Sequence, residues 1–117
     1  MGAPVKIYHN PRCSKSRQTL ALIEAAGVEP EVVLYLESPP TESELDRILE
    51  LLNLEPHDLM RKKEPIYAEL GLAKKSLSRR EAIRVMIENP KLIERPIVVN
   101  GKKAALGRPP EAVLKIL

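Results

Sequence analysis

The sequence predicts a single α/β domain that spans residues 1–117. A strand–helix–strand pattern occupies the first 36 residues, a long helical stretch follows it, and two strands with a helix end the chain. A strand, a helix and a strand in direct succession form a βαβ unit, which predicts a parallel strand pair. The expected architecture is therefore a βαβ unit, a helical insertion and a C-terminal ββα unit.

The N-terminal unit is predicted from three segments. The apolar run at residues 5–8 indicates the first strand, and the helical pattern from Ser14 to about Ala26 ends at Gly27. Residues 31–36 have a continuous apolar middle, which favours a second strand that is covered on both faces. In such sheets, ligands bind at the turn that leaves the first strand.

The helical stretch after Pro39-Pro40 contains two sequence signatures of helix starts. Thr41 with Glu44, and Ser78 with Glu81, have the spacing of capping boxes. Pro56 and Pro65 each predict the start of a shorter helix between them. Roughly 55 helical residues are thus expected between the second and third strands.

The C-terminal part predicts an antiparallel strand pair. Residues 95–99 form an apolar strand introduced by a proline, and Asn100-Gly101 is a two-residue hairpin signal that leads into residues 104–106. After Gly107, Pro109-Pro110 predicts a terminal helix. Its expected inward-facing residues are Val113, Leu114 and Leu117.

The turn after the first strand holds the only cysteine, Cys13. A helix that starts near Ser14 places the sulfur beside unpaired backbone N–H groups, which favour an anion. With Arg12, Lys15 and Arg17 adjacent, the Cys13 pKa is expected below the free-thiol value of about 8.5. A lone cysteine is often only a small buried hydrophobe, but these charged neighbours indicate a nucleophile that shares its pocket with an oxyanion.

Three arginines stand at the edges of apolar segments: Arg61, Arg95 and Arg108. A guanidinium binds an oxyanion through two parallel hydrogen bonds, which makes arginine a candidate ligand for one. Arg95 and Arg108 flank the predicted hairpin, so they are expected at the same end of the strand pair. His9 is close enough in sequence to influence the Cys13 thiolate, and Ser16 can hydrogen-bond the thiolate or its ligand.

Composition argues against several other classes of protein. A single cysteine forms no internal disulfide, and no Cys or His pairs have zinc-ligand spacing, so no metal is expected and a reducing, cytoplasmic location is favoured. No apolar run reaches the roughly 18 residues of a membrane span. The chain has three Tyr and no Phe or Trp, so it has few side chains for stacking on bases, and no nucleic-acid partner is expected.

Several motifs together resemble the glutaredoxin-linked arsenate reductase family. The similarity extends from about Val5 to the C-terminus and includes five motifs: residues 9–17, residues 34–40, Met60-Arg61-Lys62, Leu70-Gly71-Leu72, and Arg95-Pro96-Ile97-Val98-Val99 with the later Gly107-Arg108-Pro109. The resemblance implies a thioredoxin-like fold with a helical insertion. It also implies a cis peptide bond before Pro96.

The resemblance implies specific roles for the site residues. Cys13 is the nucleophile that attacks arsenate, and the oxyanion is held by Arg61, Arg95 and Arg108. His9 assists the thiolate and Ser16 bonds to it. Glutathione is the implied co-substrate and glutaredoxin the partner that completes the reduction to arsenite, with no bound cofactor. Because Ser16 replaces the second cysteine of a Cys-x-x-Cys motif, the resolving thiol comes from another molecule.

Two alternatives to arsenate reduction follow from the same residues. One is a glutathione-linked thiol transferase that acts on another oxyanion or on a glutathione adduct. The other is a thioredoxin-fold regulator that binds RNA polymerase, although such regulators typically use a Cys-x-x-Cys switch, which Ser16 removes.

Overall fold

A computed structural model describes residues 5–117 of the chain, which form two compact units. The first unit comprises the described residues up to Ser38 together with Arg95–Leu117, and the second comprises Pro39–Glu94. The second unit is therefore the predicted helical insertion, between the second and third strands. The organisation of the whole chain as one domain stays a prediction.

The first unit contains a four-stranded mixed sheet. Its strands are β1 (Val5–Tyr8), β2 (Glu31–Val33), β3 (Ile97–Asn100) and β4 (Lys103–Leu106), in the order β2-β1-β3-β4. β1 pairs with β2 in parallel and with β3 antiparallel, and β3 pairs antiparallel with β4. The predicted parallel pair and C-terminal hairpin are both confirmed.

Two helices of the first unit contact each other, namely α1 (Ser14–Ala25) and a 3₁₀ helix at Pro110–Ile116. The buried apolar cluster draws on α1, the 3₁₀ helix, β1 and β3, and consists of Val5, Ile7, Ile23, Val98 and Val113. The order of strands and helices confirms the expected thioredoxin-like fold.

The second strand is shorter and more exposed than expected. β2 ends at Val33, and residues 34–38 form a turn in which the N–H groups of Glu37 and Ser38 both donate to the Leu34 carbonyl at 2.9 Å. Val32 is 43% exposed, so the prediction of a strand covered on both faces was wrong. The reason is the strand order, because β2 lies at the sheet edge and only β1 pairs with it.

The terminal helix has a different period from the one predicted. In a 3₁₀ helix the side chains at i and i+3 are aligned, so Pro110, Val113 and Ile116 share one face. Pro110 and Val113 are buried, and Ile116 packs against the core cluster. Leu114 is 43% exposed and Leu117 is also exposed, so the prediction that they face inward was wrong.

The hairpin turn is displaced by one residue from its sequence signal. Asn100 pairs with Lys103, which leaves Gly101 and Lys102 as the two-residue loop. Gly101 has φ of 62°, the left-handed conformation that the predicted turn type requires. Asn100 is instead the last residue of β3, and its side-chain amide donates to the Ile116 carbonyl at 2.6 Å.

The second unit is helical, as predicted. It contains α2 (Glu42–Leu52), α3 (Pro65–Glu69) and α4 (Arg79–Glu88), with 3₁₀ helices at Pro56–Leu59, Leu72–Lys74 and Pro90–Leu92. Both predicted capping boxes are present, at the starts of α2 and α4. α2 and α4 contact each other, and the residues they bury are Leu45, Ile48, Leu49, Ala82, Ile83 and Met86. Within residues 5–117, no helix has both the length and the apolar character that crossing a bilayer requires.

The capping box of α2 provides a test of the second unit. Replacing Thr41 with Ala removes the oxygen that accepts the Glu44 N–H at 3.1 Å. The free energy of unfolding is expected to fall by about 1 kcal/mol, the usual effect of losing an N-cap. Urea denaturation measures it, with Ser43→Ala in the same exposed helical turn as the matched control. Equal losses in the two variants would show that the cap contributes nothing.

Candidate active site

Cys13 is the N-cap residue of α1. Its backbone is extended, with φ of −96° and ψ of 124°, and its carbonyl accepts the first helical hydrogen bond from the Arg17 N–H at 3.0 Å. The half-buried side chain makes no cap hydrogen bond, but it lies beside the backbone N–H groups of Lys15 and Ser16 in the first turn, where the helix leaves its donors unpaired. The predicted position of the sulfur, beside the unpaired donors of the helix, is therefore confirmed.

The surroundings of Cys13 stabilise its thiolate form. Burial by itself raises the pKa of the thiol, because desolvation disfavours the charged sulfur. The Ser16 N–H, the Arg95 guanidinium, the Lys15 N–H and the Arg108 guanidinium act in the opposite direction. Together they hold the pKa of Cys13 below its ordinary value, so the thiolate fraction at neutral pH is larger than that of a free cysteine.

The positive charges that act on the sulfur are not the neighbours that the sequence suggested. Arg95 and Arg108 lower the Cys13 pKa, and Lys15 contributes through its backbone N–H. The Arg17 guanidinium donates to the Pro11 carbonyl at 2.9 Å and acts on His9 instead. Residues that are adjacent in sequence point in different directions around a helix, so closeness in sequence does not bring their charges to the sulfur.

The turn that presents Cys13 is held by its own hydrogen bonds. The Asn10 side chain accepts the Arg12 N–H at 3.0 Å, and the Asn10 carbonyl accepts the Cys13 N–H at 3.0 Å. The His9 N–H donates to the Val33 carbonyl of β2 at 2.8 Å. The Asn10-Pro11 pair before the helix predicts a turn at this place, and the structure confirms it.

His9 and Ser16 form a buried polar pair. The His9 Nδ1 lies 2.6 Å from the Ser16 Oγ, which also accepts the Asn10 N–H at 3.0 Å. Burial lowers the pKa of the His9 imidazole, and the Arg17 charge lowers it further, so the ring is neutral at pH 7. The Ser16 hydroxyl was expected to bond to the thiolate or its ligand, but its partners in the structure are His9 and Asn10, and Ser16 acts on the sulfur through its backbone N–H.

The hairpin brings Arg95 and Arg108 together. Ile97 of β3 pairs with Leu106 of β4, so the residues that enter and leave the hairpin lie at the same sheet end, as predicted. The Arg108 Nε donates to the Arg95 carbonyl at 3.1 Å. Arg95 is half-buried and Arg108 is exposed. The peptide bonds Arg95-Pro96 and Arg108-Pro109 are both cis.

Gly107 fills a tightly packed position before Arg108. Its N–H donates to the Pro96 carbonyl at 3.0 Å. A Cβ atom at this residue would lie 2.6 Å from the Pro96 Cγ and would overlap the Thr19 side chain, so a glycine is required by space. Neither Thr19 nor the packing role of Gly107 was predicted, because burial of a threonine on a helix has no sequence signal of its own.

Arg61 belongs to the second unit, whereas the other candidate residues lie in the first. Its guanidinium pairs with the Glu64 carboxylate at 2.9 Å, and both side chains are largely buried. Its backbone N–H donates to the Leu92 carbonyl at 2.7 Å, beside the bridge between Met60 and Ile93. The role of Arg61 as a third oxyanion ligand stays a prediction.

The first-unit residues form a site suited to a nucleophile and an anion. A sulfur with a lowered pKa, two backbone N–H donors and two guanidinium groups favour negative charge at one place. Among residues 5–117, no group of three or more His, Cys, Asp or Glu side chains has an arrangement that could hold a metal ion.

Comparison with known proteins finds a family and relatives that match nearly the whole chain. The ArsC family matches residues 8–116. The Escherichia coli (strain K12) protein YfgD, described as uncharacterized, is 57% identical over 118 residues, which cover 100% of this chain and 99% of YfgD. An arsenate reductase of Haemophilus influenzae is 48% identical, over 97% of this chain and 98% of its own. The solved structure of an arsenate reductase from Vibrio cholerae is 52% identical, covers 100% of both chains and has a TM-score of 0.94.

The origin of the lowered Cys13 pKa is testable by alkylation. The rate of iodoacetamide labelling follows the thiolate fraction, so its pH midpoint is expected below the ordinary cysteine value. Arg95→Gln is expected to raise the midpoint more than Arg108→Gln, because the exposed Arg108 charge is better screened. Arg12→Gln is the matched control, and a midpoint that responds to Arg12 instead would contradict the assignment.

The neutral His9 predicts a pH dependence of stability. Because folding lowers the His9 pKa, the unfolded chain binds the proton first, and stability is expected to fall as pH drops below about 6.5. Above that pH the contribution of His9 is complete. Urea denaturation at several pH values measures the slope, which His9→Asn is expected to reduce. The other histidine variant, His57→Asn, is expected to retain it.

Proposed function

Because the chain belongs to the ArsC family, we propose that it is an oxidoreductase that converts arsenate to arsenite through the Cys13 thiolate. The observation that carries the proposal is the sulfur with a lowered pKa beside two guanidinium groups, which suits attack on a tetrahedral oxyanion. Full-length similarity to proteins named arsenate reductase supports arsenate as the substrate.

The charges of the site suit this reaction. Arsenate, like phosphate, has nearly two negative charges at neutral pH, and an approaching thiolate is repelled unless cations offset them. Arg95 and Arg108 supply two such cations, and the Ser16 and Lys15 N–H groups offset the charge on the sulfur. Preorganised donors of this kind stabilise charge in the transition state without rearranging.

Each candidate residue has a role in the proposal. Cys13 is the nucleophile, and the oxyanion ligands are Arg95, Arg108 and, from the second unit, Arg61. The 2.6 Å hydrogen bond between His9 and Ser16 holds the loop after β1 against the first turn of α1. In the structure this pair does not bond to the sulfur through its side chains, so its proposed effect on the substrate is indirect.

The thiol balance of the reaction requires a second molecule. Arsenate loses one oxygen as water and takes up two electrons when it becomes arsenite. Two thiols supply these electrons and end as a disulfide. Cys13 forms the first sulfur–arsenic bond, and because the chain has no second cysteine, glutathione supplies the second thiol in the proposal. A glutaredoxin thiol then takes the glutathione sulfur from arsenic as a glutaredoxin–glutathione disulfide, which reduces the arsenic on Cys13 to As(III). Water then cleaves the sulfur–arsenic bond, which releases arsenite and regenerates the Cys13 thiol.

Arsenite release in the presence of glutathione and glutaredoxin tests this function. Wild-type protein is expected to turn over and Cys13→Ser to be inactive. Arg95→Ala and Arg108→Ala are expected to raise the arsenate KM roughly ten- to hundredfold, since each removes charge-assisted hydrogen bonds of about 1.5–3 kcal/mol. Arg47→Ala, which alters an exposed arginine of α2, is the control for a loss of charge alone.

Two outcomes would contradict the proposal. If wild type and Cys13→Ser release arsenite equally slowly, arsenate is not the substrate. A glutathione mixed disulfide at Cys13 that forms without arsenate turnover would instead identify a thiol transferase. Omitting glutaredoxin while retaining glutathione separates the requirement for each partner.

A further inference from the structure

Thr19 is a fully buried polar residue on α1 that the proposed chemistry does not use. It has 0% exposure, and its hydroxyl donates to the Lys15 carbonyl at 2.8 Å. That carbonyl has the helical position to accept the Thr19 N–H as well, so the side chain adds a second donor to one oxygen. Such a bond within a helix contributes little to stability by itself.

The Lys15 carbonyl belongs to the peptide group whose N–H acts on the Cys13 sulfur. The same peptide unit contains the Ser16 N–H, which is an unpaired donor of the first helical turn beside the N-cap residue Cys13 and lowers the Cys13 pKa more than any other single group. A donor at the oxygen of an amide polarises the N–H on its other side, and hydrogen bonds linked in this way strengthen one another. The Thr19 hydroxyl therefore acts on a peptide group whose N–H lies at the helix end that Cys13 caps.

Thr19 also lies against the segment that carries the two arginines. A Cβ atom on Gly107 would overlap the Thr19 Oγ1 and would lie 3.1 Å from its Cγ2. Gly107 is bonded to the Pro96 carbonyl through its N–H, and it directly precedes Arg108. Because Gly107 lies so close to Thr19, the contact limits the positions that the backbone beside Arg95 and Arg108 can take against α1.

We infer that Thr19 is a positioning residue for Cys13. Its hydroxyl orients and polarises the Lys15–Ser16 peptide toward the sulfur, and its side chain seats Gly107 and, through it, the Arg95–Arg108 pair. The relevance to arsenate reduction rests on the proposed function, whereas the effect on the sulfur is measurable without arsenate.

Two substitutions of Thr19 separate its hydrogen bond from its shape. Thr19→Val keeps the size and branching but removes the hydroxyl. Its alkylation midpoint is expected to rise by about half a pH unit, which is roughly a threefold smaller thiolate fraction near pH 7. Thr19→Ser keeps the hydroxyl and is expected to restore most of the wild-type profile. In the arsenite assay, Thr19→Val is expected to lower kcat more than it changes the arsenate KM.

Substitutions at Gly107 test the second contact independently. Gly107→Ala is expected to raise both the alkylation midpoint and the arsenate KM, because the added Cβ displaces the arginine segment from Thr19. The double variant Thr19→Ala/Gly107→Ala removes the overlap with Thr19 and is expected to recover part of both changes. Gly101→Ala is the matched control, since its φ of 62° makes alanine unfavourable while no atom lies within 4 Å of the new Cβ.

Specific results would overturn the inference. A wild-type alkylation profile in Thr19→Val would exclude the role of the hydroxyl. A Gly107→Ala variant that loses thermal stability as Gly101→Ala does, with unchanged midpoint and KM, would reduce the Gly107 contact to ordinary packing. If wild type shows no arsenate turnover, the proposed function fails, but the alkylation profiles still decide the role of Thr19.

Discussion

The position of Cys13 as the N-cap residue of α1 is the constraint on which the rest of the site depends. Because α1 begins at Ser14, the Ser16 and Lys15 N–H groups of its first turn lie beside Cys13 and favour negative charge on the sulfur. Burial opposes ionisation at this position. The thiolate is therefore favoured by local backbone geometry first, and by arginine charge second.

The arginine charges depend on contacts between residues far apart in sequence. The β3–β4 register places Arg95 and Arg108 at one sheet end, and the Arg108 Nε is tied to the Arg95 carbonyl. Gly107 allows the segment to approach α1 and Pro96 closely, where any side chain would collide. Because a guanidinium has a strong field only over short distances, this close packing is what makes the two charges effective at the sulfur.

α1 is unusual in burying polar groups along the face that points inward near its start. Ser16 and Thr19 are fully buried, and the next buried residue, one turn after Thr19, is the apolar Ile23. Each buried hydroxyl is paired: Ser16 with His9 and Asn10, and Thr19 with the Lys15 carbonyl. Satisfied in this way, buried polar groups avoid the desolvation cost of a lost hydrogen bond and hold the surrounding backbone in one arrangement.

The sequence alone determined the order of strands and helices, both capping boxes, and the position of Cys13 at the start of α1, because turns, caps and apolar periods are local signals. It also identified Arg95 and Arg108 as a pair, since the two ends of a β-hairpin lie side by side at the same end of the sheet. Only the tertiary structure decided the exposure of β2, the 3₁₀ period of the terminal helix, the partners of the Ser16 hydroxyl and the burial of Thr19. These features depend on which segments lie side by side in the folded chain, and residue type or spacing does not encode that directly.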